Sequence, residues 1–426
     1  MPPTSAIRID LAAIDANVAA IRRMVGPACR LCPIVKADAY GLGAARVARR
    51  LAPASSLLAV YSPEQALALA EERVGVPSLV LMPVRSIRRG DDLENLLVGG
   101  GLHLSIHDAS QVETLAASAR RLGVRIPVHV EIDTGLRRGG VECAEADSLL
   151  RSVIGEPALR LAGVMTHFSD SKRDPERTQA QLGAFDGVLA SVELPETCLV
   201  HVSSTHALLR HRRYHRGMVR FGLAWAGYGH EDLDVAARIE GSADLRPAIS
   251  WSSGIVHVKR IAPGDGVGYG STWIAKRPTI VGLVPVGYAD GFPVERGGGA
   301  GRVVLMPREP RDLRRIEAPV IGAVSMDQIT IDLTDAIASL QPSAVRPDSM
   351  LGWEVELIGT DPEAANHLPT VAARSGMLPH ELLCRLGSRI PRVFVAGGSV
   401  TEHGESMPPV IETRRVDPAS SSLRAI

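Results

Sequence analysis

The first half of the chain alternates short apolar β-type runs with amphipathic helical patterns, and this alternation limits the available folds more than any other feature. The apolar runs fall at 30–36, 57–60, 78–82, 102–105, 126–132, 159–166, 197–202 and 217–221. Helical patterns sit between most of them, for example at 62–72 after Ser62, 107–122 after His107 and 174–192 after Asp174. An earlier helix is expected from the capping residue Asp10 to about Met24, with Leu11, Ile14, Val18 and Ile21 on one face. Eight strands, most of them separated by helices, predict an α/β fold: an N-terminal (β/α)8 TIM-type barrel with an outer ring of helices. An open doubly wound sheet is the second reading. It is weakened because no Gly-x-Gly-x-x-Gly follows the first run.

The pattern changes after about residue 225, and the stretch 225–245 is mixed and polar enough for a linker. Past it the apolar runs are β-branched and alternating, at 249–258, 280–286, 302–306, 319–321, 329–333 and 355–358. Gly-rich turns such as Gly264-Asp265-Gly266 and Gly297-Gly298-Gly299 divide them. This predicts a mostly β C-terminal domain, interrupted by one helix-like interval at 361–375. The expected organisation is a barrel over 1–230, its N-terminal segment open to joining the second domain as a strand, and a β domain over 231–396. A tail over 397–426, rich in Pro, Ser and Glu, is expected to be poorly ordered. The pattern assigns no role to that tail or to the extra length around 335–352.

Charge narrows the partners. Lys plus Arg and Asp plus Glu both number 47, so the net charge is zero and nothing favours nucleic acid or an anionic membrane. The five cysteines are odd in number and widely spaced, which argues against a secreted disulfide scaffold. Cys29 and Cys32 form a lone C-x-x-C with no second pair, so no metal or redox site is expected there. His201, His206, His211 and His215 match no common zinc spacing and lie among Arg212, Arg213 and Arg216, so they read as a solvated surface. The first ten residues carry no apolar targeting core, and no apolar run reaches about 18 residues. A soluble, cytoplasmic protein is expected.

Chemistry enters at the predicted strand ends, where a parallel barrel builds its active site. The first ends in Lys36, followed by Tyr40. A lysine at the end of a buried strand is costly unless its amine has a role, and a reactive amine can form a Schiff base with a carbonyl. The fifth ends at Glu131-Ile132-Asp133-Thr134-Gly135, with Arg138 in the following loop. The sixth ends at Thr166-His167, the seventh at Ser203-Ser204-Thr205, and the eighth at Arg220 before Gly222 and Leu223. A lysine, an imidazole, two arginines, and hydroxyls with a glycine after strands seven and eight make a plausible socket for pyridoxal 5'-phosphate.

The run Val35-Lys36-Ala37-Asp38-Ala39-Tyr40-Gly41 resembles the cofactor-attachment motif of the alanine racemase family. Further motifs follow in family order: Asp133-Thr134-Gly135 with Arg138, Thr166-His167-Phe168 and Met218-Val219-Arg220-Phe221-Gly222. In the second half come Gly268-Tyr269-Gly270-Ser271-Thr272-Trp273, Gly287-Tyr288-Ala289-Asp290-Gly291, Val324-Ser325-Met326-Asp327-Gln328 and Arg389-Ile390-Pro391-Arg392. The resemblance runs from about residue 6 to 396. It implies that Lys36 holds the cofactor and is one of two bases, with Tyr269 the other, acting on the opposite face of the substrate α-carbon from a partner subunit in a head-to-tail homodimer. Removing the proton on one face and returning it on the other inverts the centre. A tyrosine, with an ordinary pKa of about 10, needs neighbours that favour its phenolate. His167 would stack on the cofactor ring, and Arg220 would face the ring nitrogen and leave it unprotonated. Tyr40, Thr205 and the amides of Gly222 and Leu223 would hold the phosphate. Arg138 and the backbone of Met326 would receive the substrate carboxylate, with Tyr288 and Asp327 in support.

Four departures bear on the pocket. Many members carry a modified lysine where this chain has Glu131, which is expected to orient Arg138 unmodified. Ser204-Thr205 stands where Asn-Ser is frequent, and Ser388 stands where some members have tyrosine. The segment Ser169-Asp170-Ser171-Lys172-Arg173 is more charged than usual. The reading is an enzyme, an isomerase interconverting L- and D-alanine. The alternative is a broader amino-acid racemase acting on serine or larger side chains. Behind these stand a decarboxylase on the same architecture and a non-catalytic cofactor carrier.

Overall fold

Eight parallel strands close on themselves in the computed structural model, which describes residues 4–306, 315–339 and 347–396. They are Arg30–Pro33, Leu58–Val60, Ser78–Pro83, Leu102–Ile106, Ile126–Asp133, Leu159–Met165, Leu199–His201 and Met218–Phe221. The six from Leu58–Val60 to Leu199–His201 pair in parallel in chain order, and Met218–Phe221 pairs in parallel with Arg30–Pro33. Two single bridges, Ile34 to Ala59 and Ser203 to Val219, span the joints where the ladders thin out. The barrel is thus closed, and the open doubly wound sheet does not occur.

The helices follow from capping and periodicity. Leu11–Val25 starts at Asp10, whose carboxylate accepts the N–H groups of Ala12 and Ala13. Ala109–Leu122 starts at Asp108 and stops at Gly123 in the left-handed conformation. Pro63–Glu71 and Pro175–Leu189 both begin with proline, which needs no N–H partner at that position. Ala44–Leu51, Asp92–Val98, Cys143–Gly155 and Thr205–Arg210 supply further helices of the expected outer ring.

Among the described residues the second sheet has nine strands, and one of its edges is built from opposite ends of the chain. Ser5–Asp10 runs antiparallel to Ile249–Gly254 and parallel to Arg392–Val395. The run expected at 249–258 divides into Ile249–Gly254 and His257–Ile261. The helix-like interval at 361–375 contributes only Leu368–Arg374, and a second short helix, Pro379–Arg385, follows it. The tail 397–426 and residues 340–346 of the 335–352 stretch lie outside the described residues.

The stretch expected as a polar linker is anchored in the core. Trp225 and Tyr228 are fully buried. Asn17 Nδ2 donates to the carbonyls of Trp225 and Arg246, and its Oδ1 accepts the N–H of Arg246 at 2.7 Å. A buried amide satisfied three times holds the end of the barrel against its first helix.

Candidate active site at the mouth of the barrel

The first strand stops at Pro33, so Lys36 lies beyond it and not on its end. The chain then makes a left-handed turn, with φ between 52° and 61° from Ala37 to Tyr40. Four consecutive non-glycine residues in this region are strained, so neighbours must hold them. Asp38 accepts the N–H of Ala44 at 2.6 Å, and the Arg392 guanidinium donates to the Gly41 carbonyl at 2.9 Å. Trp225 donates to the Ile34 carbonyl at 3.0 Å and stacks on Tyr40 with ring centres 5.9 Å apart. Burial first, and the charge of Arg138 second, hold the Lys36 amine below the usual lysine range. Depressed affinity for a proton is what a nucleophilic amine requires.

Tyr40 turns its hydroxyl toward the end of the last strand. A Cβ at Gly222 would lie 1.9 Å from Tyr40 Oη, so only glycine admits this approach. Thr205 Oγ1 accepts the N–H of Gly222 at 3.2 Å and of Ala224 at 3.3 Å. The Leu223 amide donates to no backbone or side-chain acceptor among the described residues. Two hydroxyls and two adjacent amides therefore converge where barrels hold phosphate.

Arg220 lies across the barrel mouth, 4% exposed. Its Nη1 donates to His201 Nδ1 at 2.6 Å and the His201 carbonyl at 2.9 Å, and Nη2 to the Thr166 carbonyl at 2.8 Å. His167 Nδ1 stands 3.5 Å from Nη2. Burial, then Arg220, Arg138 and Lys36, push the His167 imidazole down to about 3, so it is neutral at physiological pH.

Arg138 is exposed, and among the described residues it forms no hydrogen bond or ion pair. The expected pairing of Glu131 with Arg138 is therefore not made. Glu131 is buried and its nearest basic side chain is His107, at 3.7 Å. His107 itself is committed, accepting the Gly140 N–H at Nδ1 and reaching the Leu81 carbonyl through Nε2. The backbone explains the separation: Asp133 accepts the N–H groups of Gly135, Leu136 and Arg137, and this tight turn carries Arg138 outward.

The remaining candidates gather on the β domain. Gly287 comes so close to the 325–326 backbone that a Cβ there would lie 2.2 Å from the Ser325 carbonyl. Tyr288 donates its N–H to the Ser325 carbonyl, and Ala289 to that of Met326. Arg389 ties the two loops by donating to both oxygens of Asp290 and to Asp327. Tyr269 is 77% exposed, Met326 54%, and Tyr288 is exposed rather than packed. Among the described residues no hydrogen bond, ion pair or ring contact joins Tyr269 to Lys36. The structure brings Lys36, Tyr40, His167, Thr205, Arg220, Gly222 and Leu223 together, and among the described residues no hydrogen bond, ion pair or ring contact links them to Tyr269, Tyr288, Met326 or Asp327.

The histidine cluster is a correction. His201 and His215 are buried, His206 is partly buried against Asp232 at 3.0 Å, and only His211 faces solvent. His201 lies inside the barrel because its strand turns it inward, which a spacing argument could not reveal. Sequence reasoning also passed over Trp225, His129, His103 and His380. Low aromatic content was the available signal for Trp225; the histidines gave none.

A closed barrel carrying a depressed lysine beside a hydroxyl-and-amide cradle, joined to a β domain presenting an exposed tyrosine, defines an isomerase of the amino-acid racemase class. The family model for the alanine racemase N-terminal domain matches residues 9–230, and that for its C-terminal domain matches 248–394. The chain belongs to the alanine racemase family. It is 33% identical over 405 residues to the alanine racemase of Cutibacterium acnes, covering 92% of this chain and 98% of that one. The alanine racemase of Streptomyces coelicolor superimposes with a TM-score of 0.78 at 29% identity, over 92% of this chain and 98% of that one. That of Bartonella henselae, solved with covalently bound pyridoxal phosphate, shares the fold with a TM-score of 0.75 at 24% identity, over 92% and 100% of the two chains. The activity is alanine racemisation, and these relatives support it over the broader racemase reading.

Proposed function

We propose that the barrel mouth holds pyridoxal 5'-phosphate through Lys36 and that the reaction uses two bases from two subunits. The cradle fits the group: the absence of a side chain at Gly222 lets Tyr40 Oη approach the end of the last strand beside Thr205 Oγ1 and the Gly222 amide, and the Leu223 amide has no acceptor of its own among the described residues. When bound, the cofactor supplies an electron-withdrawing ring that acidifies the substrate Cα–H. Arg220 has four N–H groups engaged within the chain and leaves Nε to face the ring nitrogen. An arginine keeps its proton, so it would leave a bound cofactor's ring nitrogen unprotonated, which would limit side reactions.

The observation that carries the reading is the separation of Lys36 and Tyr269. In this reading Lys36 Nζ serves one face of the α-carbon from the barrel, and Tyr269 Oη, exposed on the β domain, serves a second copy's barrel, which its exposure supports. Arg138, a cation without an internal partner, is free to bind the substrate carboxylate. Met326 adds an N–H that donates to no backbone acceptor among the described residues. Cytoplasmic residence is supported by five cysteines that are all unpaired. No helix among the described residues is long and apolar enough to cross a membrane.

Alanine in heavy water provides the test. A two-base enzyme incorporates deuterium at Cα in both enantiomers. Tyr269→Phe is expected to lower turnover by about 10²–10⁴-fold, the usual contribution of an acid–base group. Turnover retained within about twofold in that variant would overturn the assignment of Tyr269.

A further inference from the structure

Arg220 is a buried cation without a counter-ion. No carboxylate lies within 4.0 Å of it among the described residues, and Glu131 acts on it only from farther away. A buried charge left unpaired is destabilising unless polar groups surround it. Its side-chain support begins at His201 and continues through the barrel interior. His201 Nε2 lies 2.8 Å from His129 Nδ1, and His129 Nε2 lies 3.0 Å from His103 Nδ1. Three imidazoles thus run from the mouth of the barrel toward His103 on Leu102–Ile106, where the chain becomes partly exposed.

The protons in this row have one consistent arrangement. Arg220 can only donate, so His201 Nδ1 accepts and its proton sits on Nε2. His129 must then accept at Nδ1 and carry its proton on Nε2, and His103 repeats the pattern. Every imidazole is neutral, and every lone pair in the row points back toward Arg220. Burial pushes His201 and His129 well below the usual histidine range, with the charge of Arg220 adding to it, and His103 down to about 4 with Arg160 nearby. A proton added anywhere would set donor against donor. The row also cannot pass protons to the cofactor, because Arg220 does not give one up.

The barrel is shaped around this row. A Cβ at Gly163 would lie 2.2 Å from His129 Nδ1 and 2.7 Å from its Cε1. Gly163 pairs with His129 across the ladder, and the register shifts between Val128 and His129. A glycine and a bulge together admit an imidazole where a barrel normally packs branched apolar side chains.

We propose that His129 and His103 are positioning residues for Arg220: their aligned, neutral imidazoles take the place of a carboxylate, holding the guanidinium charged and in plane toward the cofactor ring nitrogen. Arg220 thereby receives hydrogen-bond acceptors without a negative charge that would draw a proton onto the ring. The proposal rests on the reading of the barrel mouth given above, and its test separates the two.

Imidazole ¹⁵N resonances of the holoenzyme should show His201 and His129 as neutral Nε2–H tautomers from about pH 5.5 to 8.5. A protonated ring, or an Nδ1–H tautomer at either, would overturn the proposal whatever the cofactor does. The chemical readout is the pyruvate formed per racemisation of alanine, which reports transfer of the amino group to the cofactor to give pyridoxamine phosphate. His129→Leu should raise that ratio about tenfold or more, because Arg220 loses part of its alignment. His129→Gln, which can accept and donate, should return it to within about threefold of the parent. An unchanged ratio in a folded His129→Leu holoenzyme would also overturn the proposal. Failure of the parent enzyme to bind pyridoxal phosphate at Lys36 would instead refute the underlying reading, leaving the tautomers to be judged by resonance alone.

Discussion

The hydroxyl of Tyr40 occupies the position where a side chain at Gly222 would begin, with 1.9 Å between Oη and the Cβ that an alanine would add. The contact joins the turn after the first strand to the end of the last, closing the mouth at the seam of the barrel. Gly222 does not have a left-handed φ, so its need for glycine comes from Tyr40 and not from the backbone. Gly222→Ala must push Tyr40 away from Thr205 and the adjacent amides. The cofactor dissociation constant, measured by equilibrium dialysis, is expected to rise at least about tenfold, roughly the worth of one hydrogen bond to a charged group. An unchanged constant would show that Tyr40 does not form part of the cradle.

Arg138 offers a cleaner separation of binding from folding. It is exposed and has no ion pair or hydrogen bond among the described residues, so its loss should leave the melting temperature unchanged. Arg138→Ala should raise KM for alanine by about 10–100-fold, the range for removing a charged hydrogen bond. Arg138→Lys should recover only part of this, since it keeps the charge but not the planar fork. A fall in kcat with KM untouched would place Arg138 outside the substrate carboxylate site.

Local sequence patterns revealed the barrel because each strand and helix carried its own period and punctuation, as in Asp10 before Leu11–Val25 and Asp108 before Ala109–Leu122. They were silent where tertiary contacts override local preference. Ala37, Asp38, Ala39 and Tyr40 are ordinary residues, and nothing in their order signals a left-handed turn held by Arg392 and Trp225. His201 and His129 look like any other histidines until the ring closes and turns both inward. Glu131 stands where many family members carry a modified lysine, which suggested a pair with Arg138, but the turn built on Asp133 leaves the two unpaired. The motifs singled out Lys36, Tyr40, His167, Thr205, Arg220 and Gly222, which meet at the barrel mouth, but carried no sign of how they meet.

The buried histidines predict how stability depends on pH. His103 is held down to about 4 and His167 to about 3 against an ordinary 6.5, and His129 and His201 lie well below it, burial being the first cause in each. The unfolded chain protonates these rings as pH falls through about 6.5, while the folded chain protonates His103 only near pH 4 and His167 near pH 3, and burial keeps His129 and His201 neutral well below the ordinary range. Across that window the folded state binds fewer protons, so its stability is complete above about pH 6.5 and is lost as pH falls. Each such ring contributes a slope of up to about 1.4 kcal/mol per pH unit. Urea unfolding of the cofactor-free protein should show a midpoint that drops steeply between about pH 6.5 and 4.5. His129→Gln should make that drop shallower by about one proton, and an unaltered slope would mean that His129 is not held neutral.

Mixing two inactive variants tests whether each site is shared between subunits. Lys36→Ala removes the cofactor attachment and one base, and Tyr269→Phe removes the other. In a head-to-tail dimer the mixed species has one site with both substitutions and one with neither. Random reassociation makes about half of the dimers mixed, each with one intact site out of two, so about a quarter of the parent activity should return. If Lys36 and Tyr269 served the same site from one chain, every site in the mixture would lack one base and no activity would return. Exposed Tyr269 and Met326 on the β domain, and exposed Arg138 at the barrel mouth, are the surfaces this exchange must bring together. A charge-reversed Arg138→Glu in the Lys36→Ala partner provides the internal control. The one intact site takes its Arg138 from the Tyr269→Phe chain, so recovery should persist. The same change in the Tyr269→Phe partner should abolish it.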